Sequence, residues 1–454
     1  MNRLIYRILR FNHYLRQWIF TKFTPSGIGL LCTIFACGLI GIDINRSVSY
    51  QIFAFLTALL LVSVALLPFS RHRLSVSRRL PQFGTVGIPL TYRIYLQNPN
   101  RRQLAGLKLF ERFSHTFPTF QEFKQVFKGK REFQRRAWFA LLSRKQWAFA
   151  PAQNLPTLAA KSDTEFVGEI LPLRRGILRF QKLVIACPEP LGFMNRRLKL
   201  SVPQSVLVLP KRYQLPDIAL PGTRSDRANG LAVTLSKGRS EEFHSLREYR
   251  PGDSRRKIHW KSWAKTGKPI IKEEQDSHTV RHALILDTFH KENYSENYSG
   301  AYSENYSEAL EEAVAIAASF AYSIQAQQSL LDLVITGSQA HRFTADYSRS
   351  HTERLLEILA TVQPTQDKSF ETLLSALQLE LATLGGCICI LLNWDKERKT
   401  LIEQLQTAGI PTLALVIEGE RGLREEIDRS CLRNRQSRIE VLNIHRIQEA
   451  LLKL

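Results

Sequence analysis

Three residues that could do proton chemistry stand close together in a strongly charged stretch: His244, Asp253 and His259. A carboxylate and an imidazole within hydrogen-bond reach can act as general acid and base, so a hydrolase using Asp253 and His259 is one reading. The sequence supplies no nucleophile motif and no oxyanion loop beside them. It has no P-loop either, so any nucleotide hydrolysis must come from a partner. A second chemistry is stacking. Between 117 and 149, Phe120, Phe123, Phe127, Phe133, Trp138, Phe139 and Trp147 interleave with Lys124, Lys128, Lys130, Arg131, Arg135, Arg136, Arg144 and Lys145. Aromatic platforms beside cations hold single-stranded nucleic acid. A strand pair with its aromatics in the core and its long cations in water gives the same pattern, and no RNP-like or OB-type motif favours nucleic acid. The six cysteines include no C-x-x-C pair, so zinc is not expected. Cys32 and Cys37 lie in an apolar run and Cys387 and Cys389 in an expected buried strand, as suits small hydrophobes in a reducing compartment.

The acid–base candidates belong to residues 246–275, which combine a turn, a cap, a short helix and a strand. Arg250-Pro251-Gly252-Asp253 has Pro and Gly at the central positions of a type II turn. Asp253 or Ser254 can then accept the free N–H groups of a first helical turn. Arg256, Trp260, Trp263, Ala264 and Gly267 recur at three- and four-residue steps, which puts both indoles on one face. Gly267 suits the left-handed residue past the helix end, and Pro269 stops the helix resuming. A core-packed pair of indoles is the ordinary outcome of such a stripe.

REYRPGD, then RR-IHWK, then A-x-x-G closely resembles the signature of a bacterial family, "domain of unknown function 58". The resemblance implies a membrane hairpin, a β-rich segment and a von Willebrand factor A-like domain, with a MoxR-type AAA+ ATPase as companion. It implies no reaction. The residues that carry it, and that would form a binding surface, are Arg247, Tyr249, Arg250, Asp253, Arg255, Arg256, His259, Trp260 and Lys261. Arg174-Arg175-Gly176 and Pro190-Leu191-Gly192-Phe193 resemble the family's earlier strand turns. Cys187-Pro188-Glu189-Pro190 replaces the usual Asp-Pro there, which leaves that acid without an assigned role.

The implied fold would hold a divalent cation after its first strand, in Asp-x-Ser-x-Ser. Here Asp287 is followed by Phe289 and Lys291 where hydroxyls should stand, and Leu392-Asn393-Trp394-Asp395 is also off pattern. Hard cations need several oxygen ligands, a phenyl ring supplies none, and an ammonium competes for the place. The expectation is a degenerate site with no metal and no cofactor, Asp287 being satisfied by backbone.

At 454 residues, 44% hydrophobic and 23% charged, the chain has the composition of a folded protein of several domains. Sixty-three Lys and Arg against 41 acids give +22, which favours an acidic partner: nucleic acid, anionic lipid or protein. Residues 1–23 place Leu4, Ile8, Phe11, Leu15 and Trp18 on one stripe, with Arg3, Arg7, Arg10 and Arg16 off it, as in a helix lying on an anionic leaflet. Within 24–70, apolar runs at 26–44 and 52–68 each approach the ~20 residues of a span. Basic residues at both outer ends put those ends in the cytoplasm under the positive-inside rule. Alternation such as Leu90, Tyr92, Ile94 and Leu96 makes 71–212 an antiparallel β-sandwich. A linker at 213–245 leads to the signature segment, 246–280. Strand–helix alternation over 281–454 predicts a doubly wound, mostly parallel sheet. Four tetrads of the Glu-Asn-Tyr-Ser kind at 292–308 read as a flexible surface insertion.

These features add up to a multi-pass protein of the inner (plasma) membrane. Its soluble domains face the cytoplasm and act as a non-catalytic scaffold for a MoxR-type ATPase. Nucleic-acid binding is the alternative, and its mark would be a steep loss of binding with salt.

Overall fold

The helix Asn2–Lys22 (α1) is followed by Pro25–Ile40 (α2) and Ser47–Leu66 (α3) in the computed structural model. The structure describes residues 2–40, 47–68, 73–114, 117–126, 134–216, 241–250, 258–276, 281–289, 299–326, 330–335, 341–345, 349–365, 384–418 and 437–454. Among the described residues, one helix, Val48–Leu66, is long and apolar enough to cross a membrane. The first of the two expected spans forms a helix of only 16 residues, shorter than a bilayer core requires when upright. The predicted stripe of α1 is exposed: Leu4 63%, Ile8 55%, Phe11 67%. Its other face packs Ile5, Tyr6 and Leu9 on a small core of Phe123, Trp138 and Leu141.

The chain divides into two compact units, the first consisting mainly of Met1–Lys211. In it, Ser75–Arg79 (β1), Phe83–Thr85 (β2), Leu90–Asn98 (β3), Lys108–Phe113 (β4), Ala148–Phe149 (β5), Gln153–Asn154 (β6), Ser162–Pro172 (β7), Gly176–Pro188 (β8) and Asn195–Leu209 (β9) build two sheets. Their orders are β1-β3-β7-β5 and β2-β9-β8-β4-β6. Residues of both sheets, among them Ile94, Leu96, Leu109, Ile170, Leu178 and Ile185, share one core. Strand β3 alternates buried and exposed at every position, because period-2 sequence puts successive side chains on opposite faces. The pairing is antiparallel except that β2 runs parallel to β9, so the second sheet is mixed rather than purely antiparallel.

The aromatic and basic stretch is not a strand pair. It forms the helices Phe120–Val126 and Gln134–Lys145, with 127–133 outside the described residues. Thr119 and Glu122 make a reciprocal capping box: Thr119 N–H donates to Glu122 Oε2 at 2.9 Å and Glu122 N–H to Thr119 Oγ1 at 3.3 Å. Phe123 (0% exposed) and Trp138 (2%) are buried and closed to bases, whereas Phe139 is exposed.

The turn between β8 and β9 joins the apolar helices to the sheets. Glu189, for which sequence suggested no role, is 3% exposed. Its carboxylate accepts the N–H groups of Leu191 (2.8 Å), Phe193 (2.9 Å) and Met194 (3.3 Å), and the hydroxyl of Ser63 from α3 (2.8 Å). At the start of α2, Thr24 donates its backbone N–H to Phe193 O at 3.1 Å and its hydroxyl to Gly192 O at 2.6 Å. Gly27 lies so close that an added Cβ would stand 1.9 Å from Phe193 O, so only glycine fits. The start of α2 and the end of α3 therefore abut the same turn.

In the second unit, Arg281–Leu286 (β12) is preceded by the pair Glu241–Glu248 (β10) and Ile270–Asp276 (β11). It is followed by Leu330–Ile335 (β13), His341–Ala345 (β14), Gly386–Leu391 (β15), Thr412–Glu418 (β16) and Arg438–Asn443 (β17). The sheet runs β14-β13-β12-β15-β16-β17, parallel except for the edge strand β14. The helix Ser299–Ala326 includes the last part of the tyrosine–serine repeat, which is therefore not wholly an irregular insertion. Residues there such as Ala301, Glu304 and Glu308 support a helix that the buried face of Ala313, Ile316, Ala317 and Phe320 anchors. The helix expected at 370–381 and most of the linker, 217–240, lie outside the described residues.

On β12, His282 is fully buried, and neither ring nitrogen has a hydrogen-bond partner among the described residues. Burial pushes its pKa down to about 4. The unfolded chain takes up a proton near pH 6.5 and the folded chain near 4, so stability should fall as pH drops through that window, by about 3 kcal/mol in all. In His282→Leu, unfolding followed against pH should lose that slope between pH 6.5 and 4. An unchanged slope would mean that His282 is not its source.

Candidate functional site

Strand β12 lies between β13 and β15, and the chain continues from β12 to β13 on one side but from β15 to β16 on the other. In open α/β sheets this reversal leaves a crevice at the strands' carboxyl ends, where ligands bind. Asp287 is the residue that follows β12, and it is fully buried. Its Oδ1 accepts Phe289 N–H at 3.0 Å and its Oδ2 accepts Leu392 N–H, beyond β15, at 3.1 Å. Backbone satisfies it in part, as expected.

The remainder comes from a residue that sequence reasoning missed. Arg398 donates Nε to Asp287 Oδ2 at 2.7 Å and Nη2 to Oδ1 at 3.1 Å, a two-toothed pair with both carboxylate oxygens. A third donor, Nη1, reaches Asp395 Oδ2 at 2.5 Å. Asp395 caps the helix Lys396–Thr407 and accepts Arg398 N–H at 3.1 Å, so the acid and the guanidinium are both set by one helix start. Burial alone would lower the pKa of Arg398. The pull and hydrogen bonds of Asp287, then those of Asp395, overcome it and raise the value, so the guanidinium stays charged.

The crevice therefore carries its own cation. Phe289 and Trp394, whose side chains carry no oxygen, are both buried in the core, and Lys291 lies outside the described residues. No group of three or more His, Cys, Asp or Glu that could hold a metal occurs among the described residues. The signal for Arg398 was present as Asp395-x-x-Arg398 at a helix start, but nothing local says that the arginine turns towards residue 287.

The signature residues occupy a separate place. β10 and β11 pair antiparallel, with Arg247 opposite Ile271 and Glu248 opposite Ile270. Tyr249 N–H donates to Pro269 O, and His259 N–H to Ile270 O, both at 2.9 Å. The helix is Trp260–Thr266, beginning later than the spacing predicts. Gly267 ends it at φ 69°, its N–H bonded to Trp263 O, as the sequence predicts. Residues 251–257 lie outside the described residues, and with them Asp253, Arg255 and Arg256. The proposed acid–base pair is thus not assembled among the described residues. His259 Nδ1 instead shares a 2.7 Å hydrogen bond with Ser262 Oγ. His244 lies on β10 at the irregularity between Phe243 and Ser245.

The two indoles do share a face, but they do not enter a core. Trp260 and Trp263 stack with centroids 5.2 Å apart and planes 20° from parallel. Trp260 is 64% exposed, and no residue of the helix is buried. Lys261, next to Trp260 on the helix, and Arg250 are exposed, and Arg247 on β10 is half-buried.

Residues 245–381 match a family described as "Protein of unknown function DUF58". No curated protein matches the chain. Among solved structures, the CARDB domain of a Pyrococcus furiosus protein is 12% identical, covering 30% of this chain and 93% of its own at a TM-score of 0.17. A GH20 exo-β-N-acetylglucosaminidase from Vibrio harveyi is 11% identical, covering 76% of this chain and 57% of its own (TM-score 0.17). A β-glucuronidase of Bacteroides uniformis is 7% identical, with 76% and 33% coverage (TM-score 0.18). Likeness at this level carries no argument about fold or activity.

Proposed function

We propose, from the premise that residues 245–381 are a DUF58 domain, that the chain is a membrane-anchored, non-catalytic interaction module. Its partner is a MoxR-type AAA+ ATPase, and its docking face is the signature hairpin. The exposed Trp260–Trp263 stack carries this reading. An indole stack with Trp260 largely in water, on a segment that also carries Arg247, Arg250 and Lys261, gains most by meeting an apolar patch rimmed with acids. Arg255 and Arg256 extend the same basic border in sequence.

Two further observations support the reading. The strand order, with β12 central and β14 antiparallel at the edge, suits a von Willebrand factor A-like domain. In that fold the cation's place would be taken by Arg398, leaving no Lewis acid for a reaction at Asp287. The anchor is α2 with α3: their start and end meet at 189–194, which suits entry from one side, and the basic residues flanking them make that side the cytoplasm.

The test is capture of a MoxR-type ATPase by the full-length protein extracted from membranes in mild detergent. Trp260→Ala/Trp263→Ala should reduce recovery sharply, since buried tryptophans at interfaces are worth about 2 kcal/mol or more each. The helix buries none of its residues, so the fold should survive. Undiminished capture by this variant, and by Arg255→Glu/Arg256→Glu, would remove the hairpin as the docking face.

A further inference from the structure

The strand register places a row of cations on one face of the second sheet. Opposite residues in an antiparallel ladder point the same way. Lys108, Ala186 and Arg197 therefore share a face with Phe110, Val184 and Lys199, and with Arg112, Lys182 and Ser201. Leu109, Leu183 and Ile185 point the other way, into the core. The outward face thus carries Lys108, Arg112, Lys182, Arg197 and Lys199 and no acid in these rows. Where α1 meets it, a groove of about 360 Å³ is lined by Phe11, Leu15, Trp18, Arg112 and Arg197 among others.

We propose that this groove binds the headgroup of an anionic phospholipid, the phosphate lying between Arg112 and Arg197 and the glycerol and upper acyl chain along Phe11, Leu15 and Trp18. The inference rests on the membrane-anchored reading and deepens it by naming the lipid contact.

Four observations carry it. Arg112 and Arg197 are both half-buried, and no carboxylate among the described residues pairs with either. Burial, then repulsion from Arg197, lowers the pKa of Arg112, so an anion between them would relieve both costs. His13 is also lowered, by burial and then by Arg112 and Arg16, which marks a concentration of positive charge here. The exposed stripe of α1 runs into the groove at Phe11, Leu15 and Trp18, giving apolar surface and cations side by side as at a bilayer interface.

Position selects lipid over other phosphates. Arg197 donates to Thr21 Oγ1 at 3.3 Å, four residues before α2 begins. Its neighbour Arg196 donates to Leu67 O at 3.2 Å and Pro68 O at 3.3 Å, just beyond α3. The groove therefore stands at the level where both apolar helices leave the sheets. In the proposed orientation that is the headgroup layer of the cytoplasmic leaflet.

The experiment is native mass spectrometry of the full-length protein in neutral detergent, titrated with phosphatidylglycerol or phosphatidylcholine. The expected result is preferential retention of phosphatidylglycerol. Arg112→Ala/Arg197→Ala should weaken that retention about thirtyfold, at ~1 kcal/mol per arginine near an anionic surface. Arg112→Lys/Arg197→Lys keeps the charge and should retain most of the preference, which separates loss of the site from loss of fold. Inorganic phosphate should not compete. Equal retention of the two lipids, an unaffected Ala variant, or full competition by inorganic phosphate each overturns the proposal. Alkaline extraction of membranes distinguishes the two readings. A chain that stays in the pellet without lipid preference sinks this inference alone, whereas one released to the supernatant sinks the anchored reading as well.

Discussion

Arg398→Met should lower the stability of the second unit by about 3–5 kcal/mol, because it leaves the fully buried Asp287 carboxylate with two backbone donors and no counter-charge. Asp287→Asn should cost less, because the guanidinium, only 3% exposed, loses one acid but keeps Asp395 as a counter-charge. The double variant should recover much of the loss. Removing both charges also removes the need to desolvate them, and paired changes at touching residues are not additive. Amide hydrogen exchange of 386–391 and 412–418, followed in the full-length protein, reads this locally, since those strands should exchange at the unit's global unfolding free energy. Protection equal to wild type in Arg398→Met would mean that the pair holds nothing together. Added magnesium or manganese should not protect the wild-type strands, because a divalent ion would have to expel a guanidinium bound through both carboxylate oxygens.

A comparable loss is expected in the first unit from Glu111→Leu. Arg78 and Glu111 pair at 2.7 Å with side chains 0% and 2% exposed, and Tyr92 donates its hydroxyl to the same carboxylate at 3.1 Å. Arg78 also reaches Gln204 Oε1 at 3.1 Å and Val202 O, and lies 4.3 Å from the centroid of the Phe180 ring. Deleting the acid leaves the guanidinium in a hydrophobic core with the phenol unpaired, at about 3–5 kcal/mol. Arg78→Met/Glu111→Leu should be far milder. Urea unfolding in detergent, with the slope checked for constancy, gives the comparison. If the single change costs no more than the double, the network is not what orders this core.

Sequence was most informative where one element settles its own structure. The alternation of Leu90, Tyr92, Ile94 and Leu96 predicts β3 as it stands, and Gly267 ends its helix in the left-handed conformation foreseen for it. Apolar strands alternating with helices predict the parallel sheet of the second unit, though the short edge strand His341–Ala345 and the last strand Arg438–Asn443 carry too little pattern to stand out. The stretch from 117 to 149 misleads because aromatic residues favour strands as readily as buried helix faces. The capping box at Thr119 and Glu122 was the local mark of a helix start there.

Period, caps and turn residues act within a few neighbours, so the chain alone determined an apolar α3, the two β-rich and α/β regions, and an Asp287 without the hydroxyls a metal needs. Which residue answers that aspartate is a contact across 111 positions, made only when the helix Lys396–Thr407 packs against the end of β12. The same holds for Glu189, whose partner Ser63 is 126 residues away, and for Arg112 and Arg197, which the sheet brings to one face. A buried charge takes its partner from whatever the fold sets beside it, and sequence spacing carries no record of that neighbour.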